Sequence, residues 1–252
     1  MNGVYLTGQQ LQLPRLRFNP SSLQAQHRDA RQGLKTYGPY DAQRLGKDTV
    51  RCALIYPAQL HAVKQSLVSG LTNGNGAFGG FQGLFRIPIE VVEENSVTNE
   101  INTEIEHAIN AAIRQRPDLV IVITTARNEP VYANVKSLLL GNGIPSQVVT
   151  AEKLRNPAGL PWTLENIALQ IYAKIGGTPW TVMSSSRHSE LAIGVSRAVD
   201  KQKNSVVGFV TLFTHDGDYQ FLYSLAPKPI EWQKLQEYRD ALADLIVNAY
   251  KE

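Results

Sequence analysis

The run Leu119-Val120-Ile121-Val122-Ile123-Thr124 is the clearest predicted strand in this 252-residue sequence, because it is continuous, apolar and rich in β-branched residues. A strand without a polar face is typical of a parallel sheet that is buried on both sides. Helical patterns flank the run: residues 99–115 carry an apolar stripe at three- and four-residue spacings, and residues 130–140 form a second helix before Gly141. The sequence therefore predicts a strand that alternates with helices.

The same alternation continues on both sides of this run. Further strands are predicted over residues 50–56, 87–92 and 146–150, and further helices over residues 58–69 and 164–175. A Gly-rich loop is predicted over residues 70–83. This pattern indicates an α/β domain with a parallel, Rossmann-like sheet covered by helices on both faces.

The two ends of the sequence differ from this middle part. Residues 1–48 have little periodicity and are predicted to be an extended lead-in segment, whereas residues 49–180 form the α/β domain. Residues 181–252 are predicted to be an incomplete sheet unit. Its elements are strands over 191–195, 206–214 and 219–225 and a helix over 229–250.

The composition excludes several classes of protein. Apolar residues make up 43% and charged residues 19%, which is typical of a folded globular chain. The formal net charge of +3 is too small for a protein that coats nucleic acid by charge alone, so a nucleic-acid contact would need a focused site. The single cysteine, Cys52, excludes an internal disulfide and indicates a reducing compartment. The sequence has no apolar run long enough for a membrane span and no signal-peptide pattern, so we expect a cytoplasmic location and no membrane partner.

Four polar residues follow the strands of the predicted domain. Tyr132 and Lys136 lie four apart and share a helix face, Gln147 lies in the next strand, and Lys174 lies in the last turn of the following helix. Ligands of open α/β sheets bind beyond the carboxyl ends of the strands, where helix N-termini attract anions. Two ammonium groups, an amide and a phenol match a terminal phosphate monoester, and the Tyr ring can stack on a base. The same residues are also compatible with an ordinary solvated surface.

Residues 118–180 resemble the middle domain of the Argonaute family. In that family, a Tyr and a Lys four apart, then a Gln, then a Lys before a Gly pair, mark the pocket for the 5′ phosphate of the guide. The corresponding residues here are Tyr132, Lys136, Gln147 and Lys174. The resemblance implies that these four bind the guide 5′ phosphate.

The resemblance extends in both directions along the chain. Residues 33–41 are similar to the segment that leads into this domain in prokaryotic Argonautes, and residues 190–225 are similar to the first strands of the Piwi domain, which has a ribonuclease-H-like fold. The pattern resembles the short class of prokaryotic Argonautes. It further implies that Asn166 faces the guide backbone and that Mg²⁺ bridges guide phosphates near Gln147 and Lys136.

The resemblance also implies partners. These are a guide RNA, a single-stranded DNA target, and a fused or separate effector of sirtuin-like, TIR or nuclease type, joined through an APAZ-type protein that replaces the missing domains. Base pairing with the guide would determine which target sequence is recognised, while the protein binds the backbone and the 5′ end of the guide. A role in defence against plasmids or phage follows by analogy with the family.

The sequence argues against cleavage of the target. Nucleases of the ribonuclease-H-like fold hold divalent metals with carboxylates, and in active relatives the first follows an Ile-Gly-hydrophobic pattern. Here Ile193-Gly194-Val195 is followed by Ser196, and the chain stops at Glu252 before the later elements that would supply the other ligands. Five more residues are interpreted as turn or loop residues without a catalytic role: Asp200, Asp216, Asp218, Arg187 and His188.

Two alternatives remain open. One is a Rossmann-type protein or enzyme that binds a nucleotide or a small molecule, although no G-x-G-x-x-G motif follows a strand and the glycines of residues 74–80 follow a helix. The other is a structural scaffold within a larger complex.

Overall fold

The computed structural model describes residues 13–41, 45–183, 191–200, 205–214, 219–224, 228–229 and 235–251. The chain divides into two compact units, one of residues 17–180 and one of residues 1–16 with 181–252. The elements up to residue 180 are β1 (Leu16–Arg17), β2 (Gln26–His27), α1 (Ala30–Tyr37), β3 (Val50–Pro57), a 3₁₀ turn (Ala58–Leu60), α2 (His61–Asn73), α3 (Gly80–Phe85), β4 (Ile89–Val97), α4 (Asn102–Arg114), β5 (Leu119–Thr124), α5 (Glu129–Gly141), β6 (Ser146–Thr150), α6 (Ala151–Leu154) and α7 (Leu160–Lys174).

The first unit is built on a four-stranded parallel sheet in the order β4-β3-β5-β6. The central strand β5 is buried along its whole length, as its apolar sequence predicts. Because successive side chains of a strand point to opposite faces, β5 contributes Val120 and Val122 to one layer and Ile121 to the other. The predicted fold class, a parallel Rossmann-like sheet, is confirmed.

Helices cover both faces of this sheet. On one face, Ile105 and Ile109 of α4 and Val131 and Val135 of α5 pack into the layer that contains Val122. On the other face, α2 packs its Leu67 and Leu71 against Leu54 and Ile121. The apolar stripes recur at four-residue spacing, so each helix buries one side and leaves the other for solvent or for ligands.

Two predictions about local structure are wrong. The lead-in segment, which was predicted to be extended, contains the helix α1. Asp29 caps this helix, because its carboxylate accepts the N–H of Gln32 at 2.8 Å. The predicted Gly-rich loop is shorter than expected, because α2 continues to Asn73 and α3 begins at Gly80. Burial of Phe81 and Phe85 stabilises α3 despite the low helix propensity of its glycines.

The second unit has an antiparallel sheet. Its elements are β7 (Thr181–Val182), β8 (Leu191–Asp200), β9 (Ser205–Thr214), β10 (Tyr219–Ser224), β11 (Lys228–Pro229) and α8 (Leu235–Lys251). Strand β9 pairs with β8, β10 and β11. Its Val210 and Leu212 pack against Leu242, Leu245 and Ile246 of α8. The predicted strands are present, and β8 is longer than predicted.

Candidate functional site

Helix α5 presents two of the four predicted residues toward β6. Asn128 caps this helix: its side chain accepts the N–H of Val131 at 3.2 Å, and Pro130 lies in the first turn. Val131 and Val135 are buried in the core. Tyr132 and Lys136 each follow one of these buried residues, so they lie beside the buried face of the helix rather than opposite it.

The start of β6 is where the lysines converge. Strand β6 is an edge strand, so one side of its backbone has no neighbouring strand among the described residues. Its first residue, Ser146, is 5% exposed, and its carbonyl oxygen accepts from Lys136 Nζ at 2.6 Å and from Lys174 Nζ at 2.9 Å. Lys136 Nζ also donates to the Ser146 hydroxyl, at 2.9 Å. Two ammonium groups therefore share one backbone carbonyl.

Gln147 completes this cluster. Its side chain is largely buried, and its Oε1 accepts from Lys174 Nζ at 2.5 Å, while its Nε2 donates to the carbonyl of Val148 at 3.0 Å. Lys174 is the last residue of α7, and Gly176 follows with a φ of +94°, which lets the chain turn directly after the helix. We call Lys136, Ser146, Gln147 and Lys174 the edge cluster.

The edge cluster carries positive charge without a counter-ion from the described part of the chain. Neither ammonium forms an ion pair with a carboxylate there. Burial, together with the nearby charge of Lys136, lowers the pKa of Lys174 to about 8. Burial also lowers the pKa of Lys136. Both shifts are toward the neutral amine, as expected where two ammonium groups lie close together and partly out of water, and a nearby anion would oppose them.

Tyr132 joins the edge cluster to a neighbouring cavity. Lys136 Nζ lies 5.5 Å from the centroid of the Tyr132 ring, and the Tyr132 side chain is 47% exposed. The same residue lines a cavity of about 540 Å³ at the carboxyl ends of β5 and β6, together with Thr124, Asn128 and Thr150. The exposed ring is therefore available to an aromatic ligand next to the ammonium groups.

The structure places the predicted site residues in two groups. One group comes together around β6 and consists of Tyr132, Lys136, Gln147 and Lys174. The fold class predicted a site at the carboxyl end of the strand, but the polar ends of Lys136, Gln147 and Lys174 meet at its amino end. This placement arises because Lys136 lies in the second half of α5 and Lys174 at the end of α7, and both ammonium groups reach the first residue of β6. Asn166 lies apart, about two turns (about 12 Å) before Lys174 on α7, where it is exposed and lines another cavity of about 390 Å³.

Ser146 was missed by the sequence analysis. A backbone carbonyl has no residue-specific pattern, so its role as the shared acceptor depends on the position of Ser146 at the start of an edge strand. The available signal is a small polar residue directly before Gln147 at the start of a short predicted strand.

The predicted residues of the second unit are only partly described. Ser196 lies on β8, where it pairs with Phe209 of β9, and it is exposed. Asp200 is the last residue of β8. Four residues considered for chemistry lie outside the described residues: Arg187, His188, Asp216 and Asp218.

The edge cluster does not offer a metal ion a set of protein ligands. Mg²⁺ prefers several oxygen ligands, whereas the oxygens of the edge cluster, those of Ser146 and the Gln147 amide, are neutral and already accept from the lysine ammonium groups. Elsewhere in the described ranges, no group of three or more His, Cys, Asp or Glu side chains is placed to bind a metal. The magnesium implied by the resemblance remains a prediction, and its other ligands would have to come from the guide.

None of the described helices combines the length and apolar character that crossing a bilayer requires.

Comparisons with known proteins place the chain in a family. Residues 118–252 match the Piwi domain. A protein argonaute from Cereibacter sphaeroides is 28% identical over 246 residues, an alignment that covers 87% of this chain and 31% of that protein. The chain thus spans about a third of the length of this relative.

Solved structures agree with this relationship. Clostridium butyricum Argonaute, bound to a guide DNA and a 19-mer target DNA, superposes with a TM-score of 0.65 at 21% identity over 91% of this chain and 33% of that chain. Marinitoga piezophila Argonaute, in complex with a 5′ OH guide RNA, gives a TM-score of 0.61 at 15% identity over 95% of this chain and 37% of that chain.

The fold and the edge cluster define a class, an α/β protein with two lysine ammonium groups that converge on one edge of its parallel sheet. The chain belongs to the Piwi domain family. The predicted relationship to Argonautes is confirmed.

Proposed function

We propose that this protein binds the phosphorylated 5′ end of a guide nucleic acid through Tyr132, Lys136, Gln147 and Lys174, and uses the guide to recognise a complementary strand. The observation that supports this most is the convergence of two ammonium groups on the Ser146 carbonyl without a carboxylate partner in the described ranges.

The chemistry of the edge cluster suits a phosphate monoester. Such a group carries close to two negative charges near neutral pH and has three strong acceptor oxygens. Each ammonium has three N–H donors and uses two on the protein, so each retains a donor for the ligand. Charge-assisted hydrogen bonds of this kind are about twice as strong as neutral ones. The phosphate would also raise the pKa of Lys174 toward its ordinary value.

Tyr132 is proposed to stack on the first base of the guide. Base stacking on an aromatic ring contributes about 1–3 kcal/mol and is tolerant of sequence. The exposed ring beside the cavity of about 540 Å³ supports this role. End recognition would thus combine a phosphate contact at the edge cluster with a base contact at the carboxyl ends of the strands.

Asn166 is proposed to contact the guide backbone further from the 5′ end, consistent with its place about two turns before Lys174 on the same helix. A guide RNA, a single-stranded DNA target and a magnesium ion bridging guide phosphates near Gln147 belong to the same proposal. All three are proposed by analogy with the family.

The protein is further proposed not to cleave its target, because a neutral hydroxyl, that of Ser196, stands where active relatives would require a carboxylate. An associated effector of sirtuin-like, TIR or nuclease type would then supply the response, in cytoplasmic prokaryotic defence.

Two other ligands are compatible with parts of this site. A guide with a 5′ hydroxyl is suggested by the guide RNA in the Marinitoga piezophila structure, but the two ammonium groups would gain little from it. A free nucleotide is suggested by the cavity next to Tyr132, which lies within the usual size of small-molecule sites. A nucleoside monophosphate should then bind as tightly as a whole guide.

Binding of labelled oligonucleotides with and without a 5′ phosphate, at several salt concentrations, tests the proposal. The wild type should prefer the phosphorylated form at all of them, whereas binding driven by charge alone should not discriminate. Lys136→Ala and Lys174→Ala should each reduce this preference about tenfold. Lys35→Ala is the matched control, because Lys35 Nζ also donates to a backbone carbonyl, that of Ala77, but lies in α1. Equal binding of both oligonucleotides by the wild type would overturn the proposal.

A further inference from the structure

Asp41 is a buried carboxylate from the lead-in segment. It is 6% exposed, and each of its oxygens accepts a hydrogen bond from the region around Lys174. The hydroxyl of Tyr172 donates to Oδ1 at 2.6 Å, and the backbone N–H of Thr178 donates to Oδ2 at 2.7 Å. These donors lie on either side of Lys174 in the sequence. Asp41 therefore connects the end of α7 to the turn that follows it.

Backbone contacts reinforce this connection. The N–H of Tyr40 donates to the carbonyl of Pro179 at 3.0 Å, and the N–H of Asp41 donates to the carbonyl of Thr178 at 3.3 Å. Asp41 and Thr178 are 137 positions apart in the sequence. A distant segment of the chain thus lies directly against the turn after Lys174.

Tyr172 is held in place on its other sides. Its ring stacks on Phe85, with centroids 4.1 Å apart and planes 7° from parallel. A Cβ atom at Gly177 would lie 2.4 Å from this ring, so the turn passes over the ring without room for a side chain. Burial, and then the hydrogen bond to Asp41, raise the pKa of Tyr172, so its hydroxyl stays a donor across the working pH range.

We propose that Asp41 is a positioning residue for Lys174: its carboxylate fixes Tyr172 and Thr178, and thereby the helix end from which Lys174 reaches Ser146 and Gln147. The inference rests on the proposed function for its link to guide binding. Lys174 is the last helical residue, where helices fray unless their ends are fixed. Because the ammonium reaches the edge cluster through a flexible four-carbon stem, a loose helix end would spread its positions over more than one place.

Asp41→Asn tests this role with little change in volume. An amide keeps one acceptor but presents a donor to the other partner, so one of the two hydrogen bonds is lost. The preference for the 5′-phosphorylated oligonucleotide should fall about three- to tenfold. Asp29→Asn is the matched control, since Asp29 is a carboxylate of the same segment that caps α1. It should leave the preference unchanged.

The double variant Asp41→Asn/Lys174→Ala separates positioning from a general loss of stability. If Asp41 acts through Lys174, the double variant should lose no more preference than Lys174→Ala alone, whereas independent effects would add. Tyr172→Phe removes one hydrogen bond to Asp41 and keeps the ring. It carries the test if Asp41→Asn does not fold, and it should lower the preference in the same way.

Labelling of Lys174 by an amine-reactive reagent, followed by mass spectrometry across a pH series, gives a measurement that needs no guide. The wild-type midpoint is expected near pH 8. In Asp41→Asn it should move toward the ordinary lysine value as the ammonium becomes more solvated, and in Asp29→Asn it should stay. An unchanged midpoint in both Asp41→Asn and Tyr172→Phe would overturn the positioning role. A shifted midpoint in a protein whose wild type ignores the 5′ phosphate would retain that role and reject the proposed function.

Discussion

The two edges of the parallel sheet contain the same pair of residue types in different electrostatic settings. Beside β4, Lys64 Nζ lies 5.3 Å from the centroid of the Tyr56 ring and 2.7 Å from Glu94 Oε2. Beside β6, Lys136 also lies next to a tyrosine ring, at 5.5 Å, but no carboxylate of the described residues neutralises it, and a second lysine shares its acceptor. The first lysine is paired within the fold, and the second is not.

This difference separates a lysine that is neutralised within the fold from two lysines that have no described carboxylate partner. An ion removed from water without a partner is costly, so a buried lysine usually comes with a carboxylate. Lys64 fits this rule, whereas the edge cluster brings the half-buried Lys136 and the more exposed Lys174 together on a backbone carbonyl, a hydroxyl and an amide oxygen. Because no described carboxylate pairs with Lys136 or Lys174, the β6 edge rather than the β4 edge is the candidate site for an anionic ligand.

Supplying that charge from within the chain should have the largest effect. Ser146→Asp would place a carboxylate next to Lys136 Nζ, which lies 2.9 Å from the present hydroxyl. The β6 edge would then resemble the β4 edge, and the carboxylate would occupy the phosphate position and repel the guide. We expect the preference for a 5′-phosphorylated guide to fall about 100-fold, and the pKa of Lys174 to rise above about 8.

Ser146→Asn is the control for this variant, since it has the same shape without the charge. It should retain most of the preference in the same binding assay. An equal loss in both variants would mean that side-chain size, and not charge, determines binding at the β6 edge.

The preference for the phosphate should also depend on pH. Because the pKa of Lys174 is lowered to about 8, the ammonium is present below that pH and is lost above it. The phosphate keeps its second negative charge above about pH 6. The preference should therefore be greatest between these values and fall about tenfold by about pH 9.5, as measured by binding titrations in buffers of equal ionic strength.

Lys174→Arg sharpens this prediction, because a guanidinium stays charged throughout this range. The decline above pH 8 should become much weaker in this variant, even if its preference is lower overall. A wild-type profile that stays flat from pH 7 to about 9.5 would show that Lys174 does not contact the phosphate.

A smaller effect is expected at Tyr132. Tyr132→Ala removes the proposed stacking surface and should weaken guides with and without the 5′ phosphate by about fivefold each. The ratio of the two affinities should stay the same, because the edge cluster is retained. A loss confined to the phosphorylated guide would instead assign Tyr132 to the phosphate contact.

Much of the fold was predictable from local pattern. Strands β5 and β6 have the predicted bounds because a continuous apolar run between turn signals has few other stable arrangements. Helix α3 was not predictable in the same way. Its glycines argue against a helix, and its stability comes from burial of Phe81 and Phe85 against Tyr172, a contact with a residue far along the chain.

The candidate site shows a similar division. Four site residues could be identified from the sequence, because their residue types, order and spacing form a recognisable motif: Tyr132, Lys136, Gln147 and Lys174. The role of Ser146 could not be predicted, since it depends on a backbone carbonyl at the edge of the sheet. The contacts of Asp41 could not be predicted either, since its hydrogen bond with Tyr172 joins residues 131 positions apart. Sequence patterns record which side chains are present, whereas backbone acceptors and distant contacts require the fold.

The smallest effect on guide binding is expected from the opposite edge. Glu94→Gln removes the counter-ion of Lys64 and should lower the free energy of unfolding by about 1 kcal/mol, a modest value because the Glu94 side chain is 39% exposed and partly screened. Chemical denaturation measures this change, and the affinities for both oligonucleotides should stay within about twofold of the wild type. A reduced phosphate preference in this variant would couple guide binding to the stability of the whole sheet. Unchanged binding would mean that the lysines beside β6 act through a local charge that the rest of the sheet does not control.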